Sequence, residues 1–364
     1  MEAKYVRWRD TYLRSSPLGL YLYYNNRGDN GNAITCSEAH GYAMLISVLH
    51  RNQPDFDGLL NFFLNFLNPN GLMCWQIRSP HQPSSGGHPV QPYVEEDGKT
   101  SATDGDIDIA SSLYLASKVF GDGDGRYRRE ADRLCSQILR FTIHPELGTP
   151  LLGDWANRDS PEAEKLYNAT RTSDFILSAF VLFSRSHSNP NERSRWGWVL
   201  ECTKRVALCC GGCTGFLPDF LVYDSKSATW SAVKGKLLES EHDGAVNWNA
   251  CRTPWRLSHY LATTGDTSIL PLLQHAHGSA RNLPAFRFPN IPAGVKVQQG
   301  QVQALVDYSD KAFIAPVGYL CHVLGDNQGQ QQCVSALDNQ AESYFGDTID
   351  LLIAEQASHA HEWM

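Results

Sequence analysis

The sequence predicts an all-α protein, a single domain in which about twelve helices close into an α/α barrel. Three observations carry this. Apolar residues recur at three- and four-residue spacing in segment after segment. The loops between them repeatedly hold Trp, Asp and Gly, as in Gly153-Asp-Trp155 and Gly215-Phe-Leu-Pro-Asp219. Strand signals are few, and no shift of composition divides the chain. Helical hairpins bury their apolar stripes by stacking, and a closed stack gathers its loops at one mouth. No fixed sequence period supports an open solenoid.

Taken in order, residues 4–13 read as a short amphipathic helix with Tyr5, Trp8 and Tyr12 on one side. Residues 14–35, rich in Ser, Pro, Gly and Asn, read as loop. Cys36 to His50 opens polar and turns apolar, which predicts a helix capped at or near Ser37, and Phe56 to Leu67 predicts another. Residues 68–100 read as loop, with a Pro/Ser/Gly run from Ser79 to Pro92 long enough to suggest function. The next helix, to about Phe120, opens with Thr103-Asp-Gly-Asp-Ile-Asp108. Thr103 or Asp104 serves there as N-cap, and the other aspartates complement the helix dipole. A calcium loop is excluded, because Ile109 and Leu115 stand where glycine and a bidentate glutamate are needed. Helices are further predicted over Arg126–Ile143, Ala169–Ser184 and Asn191–Leu208. After a polar stretch with short possible strands (221–247), helices follow over Cys251–Thr264, Thr267–Ala280, Asp310–Leu324, Cys333–Asn339 and Phe345–Gln356.

The 364 residues are 42% hydrophobic and 19% charged, a globular balance. No run of eighteen apolar residues occurs, so no membrane partner is expected. A net charge of −8 without a basic block argues against nucleic acid and mildly favours a cationic ligand. Fifteen Tyr, fifteen Phe and nine Trp raise the expectation of a sugar-stacking site. The cluster Cys209-Cys210-Gly-Gly-Cys213 lacks a second Cys/His pair at finger spacing, so no metal is expected. Cys321 and Cys333 are a possible disulfide in an oxidising compartment. The first residues do not read as a signal peptide, and Asn168-Ala-Thr170 is a glycosylation sequon.

Three segments, Ser37-Glu-Ala-His-Gly-Tyr-Ala-Met44, Ala102-Thr-Asp-Gly-Asp-Ile-Asp-Ile-Ala110 and Asn249-Ala-Cys-Arg-Thr-Pro-Trp-Arg256, resemble the signatures of glycoside hydrolase family 8 in the family's order. Weaker echoes include Thr170-Arg-Thr-Ser-Asp-Phe175 and Tyr344-Phe-Gly-Asp-Thr-Ile349. The resemblance implies an (α/α)6 barrel with a substrate cleft across one end. It also implies inverting hydrolysis of β-1,4-linked or mixed-linkage polysaccharide, with no cofactor. A secreted, extracellular monomer is the expectation.

Inversion requires two carboxyls on opposite faces of the sugar, about 6.5–9.5 Å apart. By resemblance, Glu38 is the general acid, its pKa raised by low-dielectric surroundings to which Tyr42 and Trp75 contribute. Asp104 matches the aspartate that positions the distorted sugar and stabilises the oxocarbenium-like charge, leaving Asp106 and Asp108 as cap and network residues. The base is less direct. Many family members have an aspartate where this chain has Asn249, and an amide cannot take a proton from water. The departure resembles the branch of chitosanases and some lichenases, whose base is a glutamate in a Leu-Glu context. Glu239, in Leu237-Leu238-Glu239, matches it, with Glu241 the runner-up and Asp243 third. Trp248 stands where that branch often has tyrosine. Trp75 and Trp155 are candidate stacking platforms, and Arg252 and Asp174 are expected to hold the cleft. His40 is expected to bond substrate or brace Glu38, and Tyr42, Trp248 and Asn249 are further binding candidates.

The reading taken first for the substrate is chitosan. It rests on Asn249, the loop glutamate and the acidic balance, with Asp104, Asp106, Asp154 and Asp174 offered to a polycationic chain. The alternative is a lichenase or endo-β-1,4-glucanase on the same scaffold. A third reading, from another class, is a carbohydrate-binding protein that lost its base. A two-carboxylate inverter is expected to give a bell-shaped pH profile of kcat/KM and to ignore EDTA. Initial rates across pH, with and without chelator, check both.

Overall fold

The computed structural model describes residues 1–83, 90–159, 163–283, 287–298 and 301–364. Its helices are of two kinds, distinguished by how much of their circumference is apolar. In α2 (Ser37–Leu49) every residue except Glu38 is buried, and α4 (Thr103–Val119) is buried from Thr103 to Ala116. In α5 (Arg126–Phe141) only a stripe is buried: Tyr127, Ala131, Leu134, Cys135, Ile138 and Leu139. Helices apolar all round belong inside, and striped ones belong outside with one face on the first kind.

That sorting builds the barrel. The inner ring runs from α2 to α4, then α7 (Leu177–Ser186), α9 (Thr253–Thr264), α11 (Lys311–Val323) and α13 (Tyr344–Ser358), which packs back on α2. Outside it, α3 (Gln53–Asn65) lies on α2, α5 on α4, and α8 (Pro190–Cys210) on α7. Next, α10 (Leu270–Arg281) lies against α9 and α11, α12 (Asn327–Leu337) on α11, and α1 (Glu2–Tyr12) on α13. This is an (α/α)6 barrel; among the described residues it has one further short α-helix, α6 (Ala163–Leu166), and several single 3-10 turns.

Short antiparallel strands occupy the connections. They are β1 (Leu13–Ser16) with β2 (Gly19–Leu22), and β3 (Ala33–Cys36) with β4 (Gln76–Arg78). A three-stranded sheet joins β5 (Ala169–Arg171), β6 (Phe220–Asp224) and β7 (Thr229–Ala232), and β8 (Val295–Gln298) pairs with β9 (Gln301–Ala304). The expected helix over Ala169–Ser184 is corrected here. Residues 169–171 pair with β6, Thr172–Asp174 form a 3-10 turn, and α7 starts only at Leu177. The polar Asn/Gln run before Cys333 hid the start of α12 at Asn327. Within the Ser79–Pro92 run, residues 84–89 lie outside the described residues.

The capping expectations also change. The N-cap of α2 is Cys36 and that of α4 is Ala102, neither with a side-chain bond. Thr103 instead donates its hydroxyl to the Leu151 carbonyl at 2.6 Å. Cys321 and Cys333 are buried free thiols, and the remaining cysteines are free as well.

Helices α2 and α4 cross almost backbone to backbone. A Cβ on Gly105 would lie 2.5 Å from the Ser37 carbonyl carbon, and one on Gly41 would lie 2.8 Å from the Asp108 Cβ. This crossing sets Asp104 beside Glu38. Gly105→Ala is therefore expected to cost about 1–3 kcal/mol by overpacking and to lower activity as the two helix starts move apart. Thermal unfolding and kcat of the variant check it; unchanged values would refute the constraint.

Candidate active site

The candidate residues come from one end of the barrel because each sits in the first turn of an inner helix or just before it. Glu38 begins α2, Asp104 begins α4, Asp174 precedes α7, Arg252 precedes α9 and Tyr344 begins α13. At the centre is the buried guanidinium of Arg252. Its Nη1 donates to Glu38 Oε2 at 2.7 Å, to the Tyr42 hydroxyl at 2.8 Å and to Asp104 Oδ2 at 3.0 Å. Its Nη2 donates to Asn249 Oδ1 at 3.1 Å, and its Nε to the Asn249 carbonyl at 3.2 Å.

Asn249 carries the connection onward. Its amide nitrogen donates to Glu239 Oε2 at 2.8 Å and reaches Asp219 Oδ2 at 3.4 Å. Glu239 Oε1 also accepts from Arg171 Nη2 at 3.3 Å. One guanidinium and one amide thus stand between the carboxylates of Glu38 and Glu239. Tyr344 donates to the other oxygen of Glu38 at 3.2 Å. A cavity of about 470 Å³ opens over this group, lined among others by Glu38, Asn249, Arg252, Trp248, Tyr344 and Phe345. A larger concavity, about 850 Å³, lies on the barrel's flank between α1 and α11–α13. Of its acidic groups, Asp347, Asp350 and Glu342 are already paired with Lys311, Lys4 and Arg7, so it lacks the convergent chemistry of the smaller one.

Electrostatics drives the two neighbouring carboxyls apart. Burial raises the pKa of Glu38; the charge of Arg252 opposes this and that of Asp104 adds to it. Asp104 is also pushed up by burial, but the guanidiniums of Arg252 and Arg171 outweigh that and hold it below the ordinary value. One carboxyl therefore keeps a proton more readily while its neighbour stays ionised. Asp174 is fully buried, with one oxygen on the Ser173 hydroxyl. Burial and the nearby Asp104 raise its pKa to about 8. Asp219, which the sequence did not single out, accepts from the Asn247 and Ala250 amides, and burial lifts it to about 6.

Several expectations are corrected. His40 is wholly buried, bonded to the Leu59 carbonyl and stacked on Phe62, and burial lowers its pKa to about 4. It reaches neither a cleft nor Glu38. Tyr42 is also fully buried and works from beneath, through Arg252. Trp155, half-buried, packs on the small cluster of Leu151, Leu152 and Phe220, and Trp75, also half-buried, donates its indole N–H to the Asp97 carbonyl; neither is among the residues that line the cavity over Arg252. Trp248 lines the cavity and is 38% exposed. Asp106 takes the Met73 amide at 2.9 Å, and Asp108 forms a two-pronged bond with Arg256; neither caps α4. Glu241 is exposed, its carboxylate beside Gly235, and makes no bond to the Arg252 group among the described residues. The carboxylate of Asp243 is taken up by backbone amides and is not free to act as a base. Arg171, Asp219 and Tyr344 were missed as individual site residues, although each lay within or beside a quoted echo motif.

A closed ring of helical hairpins with converging carboxyls at one mouth defines a class of barrel glycosidase. The comparisons give the family: residues 24–359 match glycosyl hydrolases family 8, and the chain belongs to it. A beta-glucanase of Niallia circulans is 31% identical over 96% of this chain and 82% of its own length. An endoglucanase of Bacillus sp. (strain KSM-330) is 27% identical over 96% and 73%. The apo structure of a beta-1,3-1,4-glucanase from Paenibacillus sp. X4 superposes with a TM-score of 0.82 at 30% identity, covering 99% of this chain and 91% of that one. The protein is thus a family 8 glycoside hydrolase, and no helix among its described residues is long and apolar enough to cross a membrane.

The raised pKa of Asp174 has a consequence for stability. Its folded value of about 8 lies above the unfolded value near 3.9, so its contribution is full below the unfolded pKa and is lost as pH rises through about 8. Asp174→Asn, which mimics the neutral carboxyl, is expected to leave the thermal midpoint near wild type at pH 4 and to raise it increasingly towards pH 9. A difference that does not vary with pH would refute this.

Proposed function

We propose that the protein is an inverting endo-hydrolase of β-glucan, of mixed-linkage β-1,3-1,4 or β-1,4 type, with Glu38 as general acid, Glu239 as general base and Asp104 as the sugar-positioning carboxylate. The observation that carries the mechanism is the relay Glu38–Arg252–Asn249–Glu239. It holds two carboxyls apart by bridging groups, Glu38 on the cavity and Glu239 on the other side of Asn249, and inversion requires such a separation to admit a water on the far side of the sugar. In the reaction Glu38 gives its proton to the leaving glycosidic oxygen as the C1–O bond breaks. Water attacks C1 from the opposite face, Glu239 takes its proton, and the new reducing end has the inverted configuration. The carboxylate left on Glu38 is already paired with Arg252. Asn249 acts as an orienter: its amide donates to Glu239, where an aspartate would place a third carboxylate against Glu239 and Asp219.

The β-glucan substrate is supported by relatives described as a beta-glucanase, an endoglucanase and a beta-1,3-1,4-glucanase. It replaces chitosan, because the four aspartates offered to an ammonium-bearing chain are not free anions. Asp106 is buried and its pKa is well raised by that burial, Asp174 is neutral below about pH 8, Asp154 is held by Ser101, Asn68 and Asn70, and Asp104 is paired with Arg252.

Reducing-sugar release is expected on barley-type β-glucan and not on soluble chitosan, and NMR of the first product is expected to show the α-anomer. Glu38→Gln and Glu239→Gln are each expected to lower kcat by about 10²–10⁴-fold with KM little changed. The alkaline limb of the pH profile is expected to lie above the ordinary carboxylate range, following Glu38. Chitosan cleavage without β-glucan cleavage would reverse the substrate reading. Wild-type binding of β-glucan without turnover would leave a carbohydrate-binding protein.

A further inference from the structure

Glu239 lies in a segment with no regular structure: from Val233 to Val246 there is neither helix nor strand. Its side chain is 43% exposed and, among the described residues, is held by Asn249 and by the longer contact to Arg171. Something else must fix its backbone if its carboxylate is to meet a water reproducibly.

That something is Asp243. This buried carboxylate accepts four consecutive backbone N–H groups: Leu237 at 2.8 Å, Leu238 at 2.7 Å and Glu239 at 3.0 Å on Oδ2, and Ser240 at 2.8 Å on Oδ1. Amides converging in this way form a concave anion-binding turn, here filled by the protein's own side chain. Charge-assisted bonds of this kind are about twice as strong as neutral ones. Burial alone would raise the pKa of Asp243, but these amides lower it below the ordinary value, so it stays charged. Asp243 is itself anchored. Its carbonyl accepts from Phe220 at the start of β6 at 3.0 Å, and the Asp219 amide donates to Ala245 at 2.7 Å. The same turn of chain, through the Asp219 carboxylate, holds the Asn247 and Ala250 amides that flank Asn249. A continuous path therefore runs from β6 through Asp243 to the Cα of Glu239.

We propose that Asp243 is a positioning residue for the hydrolysis: through four amides it sets the place from which Glu239 meets the attacking water. This rests on the reading of Glu239 as base. An asparagine at 243 keeps the shape but offers a single acceptor oxygen and an NH2 that opposes one of the amides; an alanine offers nothing.

The test is kinetic and uses the full chain on β-glucan, with folding checked by thermal unfolding. Asp243→Ala is expected to lower kcat by about 10–100-fold, with KM within about twofold, because displacement of a catalytic group by about an ångström has that effect. Asp243→Asn, the better-folding variant, is expected to lie between it and wild type. Glu239→Ala is expected to lose activity and regain part of it with azide, which attacks C1 directly while Glu38 still protonates the leaving oxygen. In that background Asp243→Ala is expected to leave the azide-supported rate unchanged, since no base remains to be positioned. A wild-type kcat in both Asp243 variants would overturn the proposal. Equal slowing of the azide-supported rate by Asp243→Ala would also overturn it, by showing a general structural effect. A wild-type kcat in Glu239→Ala would instead overturn the base assignment, and the positioning role with it.

Discussion

The guanidinium of Arg252 is the interaction on which the mouth of the barrel depends. A buried ion is removed from water at a penalty of several kcal/mol, which only well-formed hydrogen bonds offset. Arg252 meets this through five contacts drawn from α2, α4 and the turn before α9. It places one charge against two carboxylates, so the two need not repel across a narrow gap. A lysine could not do this, since a single ammonium lacks the planar fork that faces Glu38 and Asp104 with one nitrogen and Asn249 with the other.

The fold exists to deliver these groups to one place. In an inner-and-outer ring of hairpins every inner helix runs the same way, so all six inner N-termini open at the same end. Their partial positive charge favours carboxylates there. Glu38 and Asp104 can both use this only because α2 and α4 touch at Gly41 and Gly105, without side chains to hold them apart. A second buried pair, Arg256 with Asp108, repeats the arrangement one helical turn deeper and ties α9 to α4. The acidic run that begins α4 therefore has three destinations: Asp104 at the mouth, Asp106 on the β4-side loop at Met73, and Asp108 inside the ring.

The opposite side of the cleft is built differently. Glu239 is not carried by a helix but by a loop, and its rigidity is borrowed from two buried carboxylates, Asp219 and Asp243, that collect backbone amides. Glu38 and Glu239 thus stand on unlike supports, one on a helix start in the core and one on a clamped turn at the rim. Asn249 joins them, and its amide can serve both sides because it donates to Glu239 and accepts from Arg252 at once.

Local sequence determined the helices, the single barrel and the three motifs that place Glu38, Asp104 and the Asn249 segment, because apolar periodicity and short-range motifs are properties of neighbouring residues. It misjudged what depends on distant partners. Asp106 and Asp108 looked like helix caps, yet their partners lie 33 and 148 residues away. Residues 169–174 have a helical pattern, yet pairing with β6 makes them strand and turn. His40 has the chemistry of a site residue, yet the fold turns it into the core against Leu59 and Phe62. Asp219 and Asp243 look like ordinary loop carboxylates until folding brings backbone amides onto them. The sequence alone determined which chemistry is available; the tertiary structure decided which carboxyls are spent on the backbone, which are paired, and which face the cavity, since desolvation and hydrogen bonding arise only when the chain is packed.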